Sequence, residues 1–180
     1  MSVDLRDLLR ARFRWTDPGD DTGYVVSNRS GWWRDPVIVS GLGDALADLF
    51  RSASPTVVVS PEVTGFLVGP LVARSLGAGF VEAYRAGVRR PIAEPMTWVT
   101  VPTDHRGEEQ HLGVRDGLIT PDDRVLVVDD WAATGAQAGA LRTLAGDAYV
   151  GTAVIVNECP PPVTAALTIR GLLTGDDLAL

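Results

Sequence analysis

Residues 124–130, RVLVVDD, are an unbroken apolar run that ends on two carboxylates, the pattern of a strand buried on both faces of a parallel sheet. A second run, YVGTAVIVN over 149–157, has the same character. A sheet with one wet face would alternate apolar and polar residues; these runs do not, so both faces need a cover of helices. The remaining chain supplies it. In DPVIVSGLGDALADLF, Ile38, Leu42, Leu46 and Leu49 recur at helical spacing, predicting an amphipathic helix that begins near Asp35 and Pro36. TVVVS (56–60), PEVTG and FLVGPLVARSLGAG read in turn as strand, loop and helix. GFVEAY (79–84) and MTWVTV (96–101) read as strands, and a helix from about Gly135 to Leu144 separates the two long runs. Such alternation predicts an α/β fold: a doubly wound, mostly parallel sheet with helices on both faces, which binds ligands at the C-terminal ends of its strands.

Length and composition fit one domain spanning residues 1–180, since 46% of the residues are hydrophobic, 22% are charged, and no repeat or low-complexity tract divides the chain. A formal net charge of −7 argues against a general nucleic-acid or anionic-membrane binder, although it leaves room for a local phosphate site. All 16 basic residues are Arg, so a lysine Schiff base is excluded and every cationic contact is made by a planar guanidinium. With Cys159 the only cysteine, and His105 and His111 the only histidines, a structural zinc site of the usual kind is excluded. No stretch approaches the roughly 20 apolar residues that span a bilayer, and MSVDLRDLLRARFRW lacks a signal-peptide core, so a cytoplasmic protein is expected. Gly41 and Gly43 do not complete a dinucleotide fingerprint, because its third glycine would fall at Leu46.

The chemistry concentrates in VLVVDDWAATGAQ (125–137), which carries Asp129 and Asp130 off a buried strand into a small-residue turn and a helix. Ala133, Thr134, Gly135 and Ala136 have little bulk, so their backbone N–H groups can close around an anion at the positive end of that helix, with the Thr134 hydroxyl as a further donor. A lone Asp pair would more simply close the strand and cap the next helix. Beside a phosphate cradle, however, two carboxylates suit the neighbouring hydroxyls of a phosphorylated ribose.

This segment resembles the signature of the type I phosphoribosyltransferases: four apolar residues, two acidic ones, an apolar one, two variable ones, then Thr-Gly and two more. It departs at Gln137, where the family usually has Thr or Ser on the 5-phosphate. The resemblance covers roughly residues 24–160 and is greatest to the adenine phosphoribosyltransferases, through WWRDP, SPEVTGFLVGPLVARSLGAGFVEAYR and DGLITPDDRVLVVDD. It implies that the loop of Glu62, Val63, Thr64 and Gly65 faces the pyrophosphate of 5-phosphoribosyl-1-pyrophosphate, with Arg85 either on the same group or a solvated surface residue. Thr64 stands where the adenine enzymes have Arg, and VVSNRSG lacks their Phe-Arg-Asp run beside the base. Trp131 falls where the family packs an aliphatic side chain on the base; it either stacks on a planar ring or is a plain core Trp. Trp32 and Trp33 either pack in a small hood subdomain, built from about residues 1–50 and the C-terminal segment, or reach the base. TDHRGEEQH (103–111) corresponds to the family's closing loop and is similar to the Asp-His-Gly-Glu loop of orotate phosphoribosyltransferases; His105 or Arg106 either reaches the pyrophosphate or makes no contact.

The resemblance implies a Mg2+-dependent transfer of phosphoribosyl to a nitrogenous base, a purine such as adenine, in nucleotide salvage. Asp129, Asp130 and Arg85 would be the catalytic groups, Mg2+ would be held by substrate oxygens without a protein cage, and the enzyme would be a homodimer. Two alternatives stay open: a phosphoribosyltransferase for orotate or another base, and a non-catalytic sensor of phosphoribosyl pyrophosphate or a nucleotide.

Overall fold

The structure, a computed structural model, describes residues 4–19, 23–87, 92, 94–102 and 110–179. In chain order its main elements are α1 (Leu5–Arg12), β1 (Arg14–Thr16), β2 (Val26–Asn28), α2 (Ser30–Arg34), α3 (Pro36–Asp48), β3 (Val57–Pro61), α4 (Gly65–Leu76), β4 (Gly79–Arg85), β5 (Met96–Val101) and β6 (Gln110–Arg115). They continue with β7 (Val125–Ala132), α5 (Ala136–Ala145), β8 (Tyr149–Asn157), α6 (Pro161–Ala166) and β9 (Ile169–Thr174).

Seven strands form one sheet in the order β5-β6-β4-β3-β7-β8-β9. The five from β4 to β9 are parallel, and β5 and β6 are added antiparallel at one edge. After β3 the chain winds outward to β4, then returns to lay β7 on the other side of β3. The order therefore reverses between β3 and β7, and in an open α/β sheet the crevice beyond the strand ends at such a reversal is where ligands bind.

The two apolar strand runs bury both faces, as their composition requires. Leu126 and Val128 of β7 join Val58, Ile155 and the apolar sides of α3 and α4, whereas Val125 and Val127 join Val59, Val81 and Leu141 of α5 on the opposite face. Alternation along a strand sends neighbours to opposite sides, so one run of four apolar residues feeds two cores. The helix expected near Asp35 begins there: the Asp35 carboxylate accepts the Val37 N–H at 3.0 Å, and Pro36 opens the first turn, where no N–H is needed. Gly43 has a packing reason instead of a nucleotide-binding one, since a Cβ there would stand 2.6 Å from the Leu71 carbonyl oxygen of α4.

The N-terminal elements form a layer over the α3 and α4 side of the sheet, centred on the buried Leu9, Phe13 and Trp32. Trp32 packs, and its indole N–H donates to the Leu9 carbonyl at 2.8 Å. The short antiparallel pair β1–β2 extends from this layer toward the C-terminal ends of the strands, bringing Trp15 and Arg29 to the rim. At the other end of the chain Asp177 caps its own turn through the Thr174 N–H and receives Arg10 of α1 at 2.6 Å. Those bonds depress the Asp177 carboxyl to about 2. Among the described residues no helix is long and apolar enough to cross a membrane.

Candidate active site

At the reversal point the C-terminal ends of β3 and β7 open into a cleft of about 720 Å³. Glu62, Val63 and Thr64 form one wall and Asp129, Asp130, Trp131 and Ala133 another, with Arg29 and Trp15 arriving from the N-terminal layer. The peptide between Glu62 and Val63 is cis. A second cavity of about 260 Å³ lies next to the cleft, lined by Thr134, Gly135, Ala136 and Gln137 at the start of α5. Asp129, Trp131, Ala133 and Gln137 line both.

The turn that opens α5 borders the smaller cavity. Gly135 takes φ +78°, a left-handed conformation that sets the turn before α5, and a Cβ there would meet Val163 at 2.6 Å. Ala136 and Gln137 follow in the first turn of the helix, where backbone N–H groups lack helical acceptors and point outward. The Thr134 hydroxyl accepts the Ala136 N–H at 3.3 Å, which folds the turn back on the helix end.

Arg85, at the end of β4, ties three segments together. Its backbone N–H and its Nε donate to Glu62, at 3.1 Å to the carboxylate and 3.0 Å to the carbonyl. Its Nη1 donates to Gln110 at 2.8 Å and its Nη2 to Gln137 at 3.3 Å. Gln137, the departure from the signature, thus turns its amide oxygen to this guanidinium. Pro102 and Gln110, which flank residues 103–109, both line the smaller cavity. His105 and Arg106 themselves lie outside the described residues.

The two aspartates are not equivalent. Asp130 is buried, and its carboxylate is ion-paired to Nη1 of Arg29. Asp129 accepts the Asp130 N–H at 2.8 Å. Desolvation and, after it, the charge of Asp130 push the Asp129 carboxyl well above the ordinary carboxylate range. Trp131 is packed and also borders the cavities. Its ring packs 5.8 Å from Phe13 and 6.3 Å from Trp15, and its indole N–H donates to Glu158 at 3.0 Å, yet it lines both cavities.

The strand-end rule brings Glu62 to Gly65, Arg85 and residues 129–137 into one place. Arg29 and Glu158 join the cleft without having been singled out. Glu158 follows directly on the buried run of β8, so the same rule could have found it. Arg29 had no local signal, because its partner lies 101 positions away. Among the described residues no group of three or more His, Cys, Asp or Glu is placed to hold a metal ion.

Comparison with known proteins gives one consistent result. The family model described as "Phosphoribosyl transferase domain" matches residues 34–143. An adenine phosphoribosyltransferase from a Synechococcus strain is 33% identical over 145 residues, covering 79% of this chain and 78% of that protein. A Giardia lamblia adenine phosphoribosyltransferase, solved with 9-deazaadenine, shares the fold with a TM-score of 0.80 at 22% identity, covering 96% of this chain and 98% of that one. A Trypanosoma brucei adenine phosphoribosyltransferase, solved with AMP, pyrophosphate and ribose-5-phosphate, shares it with a TM-score of 0.79 at 21% identity, covering 98% and 82%.

Proposed function

The chain belongs to the phosphoribosyl transferase domain family, and from that premise we propose that its cleft transfers phosphoribosyl from 5-phosphoribosyl-1-pyrophosphate to adenine in purine salvage. The protein is a phosphoribosyltransferase, a pentosyl-transferring enzyme. The observation that carries the site assignment is the junction of cradle and cleft at the β3–β7 reversal, with Asp129 on both and Arg85 binding the loop at 62 to the first turn of α5.

In this reading the turn of Ala133, Thr134, Gly135, Ala136 and Gln137 holds the 5-phosphate, Asp129 and Asp130 accept from the ribose hydroxyls, and Glu62, Val63, Thr64 and Gly65 with Arg85 face the pyrophosphate. A base nitrogen forms its bond to the anomeric carbon as the bond from that carbon to the pyrophosphate oxygen breaks. The electron pair leaves with pyrophosphate, and the proton on the nitrogen passes to water. The carboxylates orient the ribose and oppose the positive charge developing on it, and neither attacks. Mg2+ takes oxygen ligands and keeps waters, so it would be held mainly by the oxygens of the substrate phosphates. When bound it would neutralise charge on the leaving pyrophosphate. His105 or Arg106 is proposed to reach the pyrophosphate.

The N-terminal layer serves as the hood over the base, with Trp131 and Trp15 as its aromatic walls. A cytoplasmic homodimer is part of the same proposal; the exposed Leu67, in the first turn of α4, offers apolar surface for a partner copy. The deciding experiment is steady-state turnover with 5-phosphoribosyl-1-pyrophosphate and Mg2+, offering adenine, hypoxanthine, guanine and orotate in turn. AMP and pyrophosphate from adenine are expected. Turnover only with orotate would move the enzyme to another base, and binding without turnover of any base would make the protein a sensor.

A further inference from the structure

For a pocket that must admit a pyrophosphate, the cleft holds an adverse balance of charge. Among its described lining residues Glu62, Asp129, Asp130 and Glu158 are acidic, and the cations are Arg29 and Arg85. Arg85 is committed to the protein at every side-chain nitrogen, to Glu62, Gln110 and Gln137. Arg29 is different. Its Nη1 pairs with Asp130, and among the described residues that carboxylate is the one hydrogen-bond partner of its side chain, so Nε and Nη2 keep their donors free.

Its placement is as telling as its spare donors. Arg29 immediately precedes α2 at the seam between the N-terminal layer and the loop after β3, and it lines the cleft together with Glu62, Val63 and Thr64. It also shares with Thr64 an adjoining cavity of about 350 Å³. The loop itself contributes no cation there, and the guanidinium arrives from the opposite wall. Asp130 is 6% exposed at its side chain while Arg29 keeps 28%, so the buried partner anchors the head group and the cleft sees its remaining face. A guanidinium held in this way loses little freedom when it binds, and its planar fork matches two phosphate oxygens.

We propose that Arg29 contacts the pyrophosphate group of the ribosyl donor, with Asp130 anchoring the guanidinium in the cleft. The inference rests on the phosphoribosyl-transfer reading. As the bond from the anomeric carbon to the pyrophosphate oxygen breaks, that oxygen keeps the electron pair, and Arg29 meets the added charge. Asp130 then has a second task besides the ribose: it positions the cation that Thr64 does not supply.

The test compares calorimetric titrations of the wild type, Arg29→Ala, Arg29→Lys and the double variant Arg29→Ala/Thr64→Arg with three probes. These are 5-phosphoribosyl-1-pyrophosphate with Mg2+, inorganic pyrophosphate with Mg2+, and AMP. Loss of a charge-assisted contact should weaken Arg29→Ala for both pyrophosphate-bearing probes by about tenfold or more, and for AMP by less than about threefold. Arg29→Lys, which keeps the charge and spares Asp130 an unpaired burial, should lie between wild type and Ala if the Ala variant proves unstable. Restoring a guanidinium from the other wall, in the double variant, should recover part of the pyrophosphate affinity. Equal losses for AMP and 5-phosphoribosyl-1-pyrophosphate with no loss for inorganic pyrophosphate would show that Arg29 acts only through Asp130 on the ribose and would overturn the inference, as would unchanged pyrophosphate affinity in both single variants. A wild type that binds none of the probes would instead refute the phosphoribosyl reading itself.

Discussion

Gly135→Ala is the most informative single change in the cradle. Gly135 has φ +78°, and an L side chain in the left-handed region costs roughly 1–2 kcal/mol. The new Cβ would also stand 2.6 Å from Val163 Cγ1 and 3.2 Å from Leu167 Cδ1, both of which pack against the start of α5. Inserting a methyl into such a packed contact costs roughly 1–3 kcal/mol. Together the loss is about 2–5 kcal/mol, and for a domain of this size that lowers the melting temperature by about 4–20 °C. The relief available is to push the turn out into the cavity or α6 away from the sheet, so affinity for inorganic phosphate and for the phosphoribosyl donor should fall as well. Gly139→Ala is the control from the same helix: nothing lies within 4 Å of its Cβ position, and Ala should stabilise α5 by about 0.5–1 kcal/mol. Differential scanning calorimetry and phosphate titration of the two variants make the comparison. Unchanged melting and unchanged phosphate affinity in Gly135→Ala would refute both the packing and the cradle.

Asp129→Asn should abolish turnover yet raise stability at neutral pH. The folded Asp129 carboxyl has its pKa raised, so its contribution is fully present below the unfolded value and is lost as pH rises through the folded one; the gain from Asn should therefore grow from acid toward neutral pH in urea melts. For the same reason the acid limb of the wild-type rate profile should sit above the usual carboxylate range. Asp177→Asn should act oppositely: its depressed carboxyl stabilises above the ordinary Asp value, and that advantage is lost as pH falls toward about 2, so the variant should melt lower at pH 7 and converge with wild type in acid. Trp32→Phe leaves the buried Leu9 carbonyl without its indole donor and opens a void, and chemical denaturation should show a loss of about 1–3 kcal/mol with little change in kinetic constants.

The parallel core was legible because burial on both faces writes itself into composition, as in Val125 to Val128 and Tyr149 to Asn157. The start of α3 was legible through Asp35 and Pro36 for an equally local reason. Elements that take their stability from elsewhere were not. In α1, Leu5, Leu8 and Leu9 were hidden among charges in a helix of 8 residues, and the three-residue β1 and β2 are shorter than any periodicity can report. Gln110 and His111 looked like loop but open β6, whose polar start is held by the ladder to the edge strand β5. In the site, the signature placed Asp129 to Gln137 because strand, turn and helix are contiguous. The contacts that organise it are not contiguous: Arg85 with Gln137 spans 52 positions and Arg29 with Asp130 spans 101, so only the fold discloses them.

The most direct test of the central claim is calorimetric binding of 5-phosphoribosyl-1-pyrophosphate with Mg2+ to the wild type and to Asp129→Asn/Asp130→Asn, followed in each cell by adenine and assay of released pyrophosphate. Binding and turnover by the wild type, with turnover lost in the double variant, is the predicted result. Full activity in the double variant would contradict it and place the chemistry outside the cleft at the β3–β7 reversal.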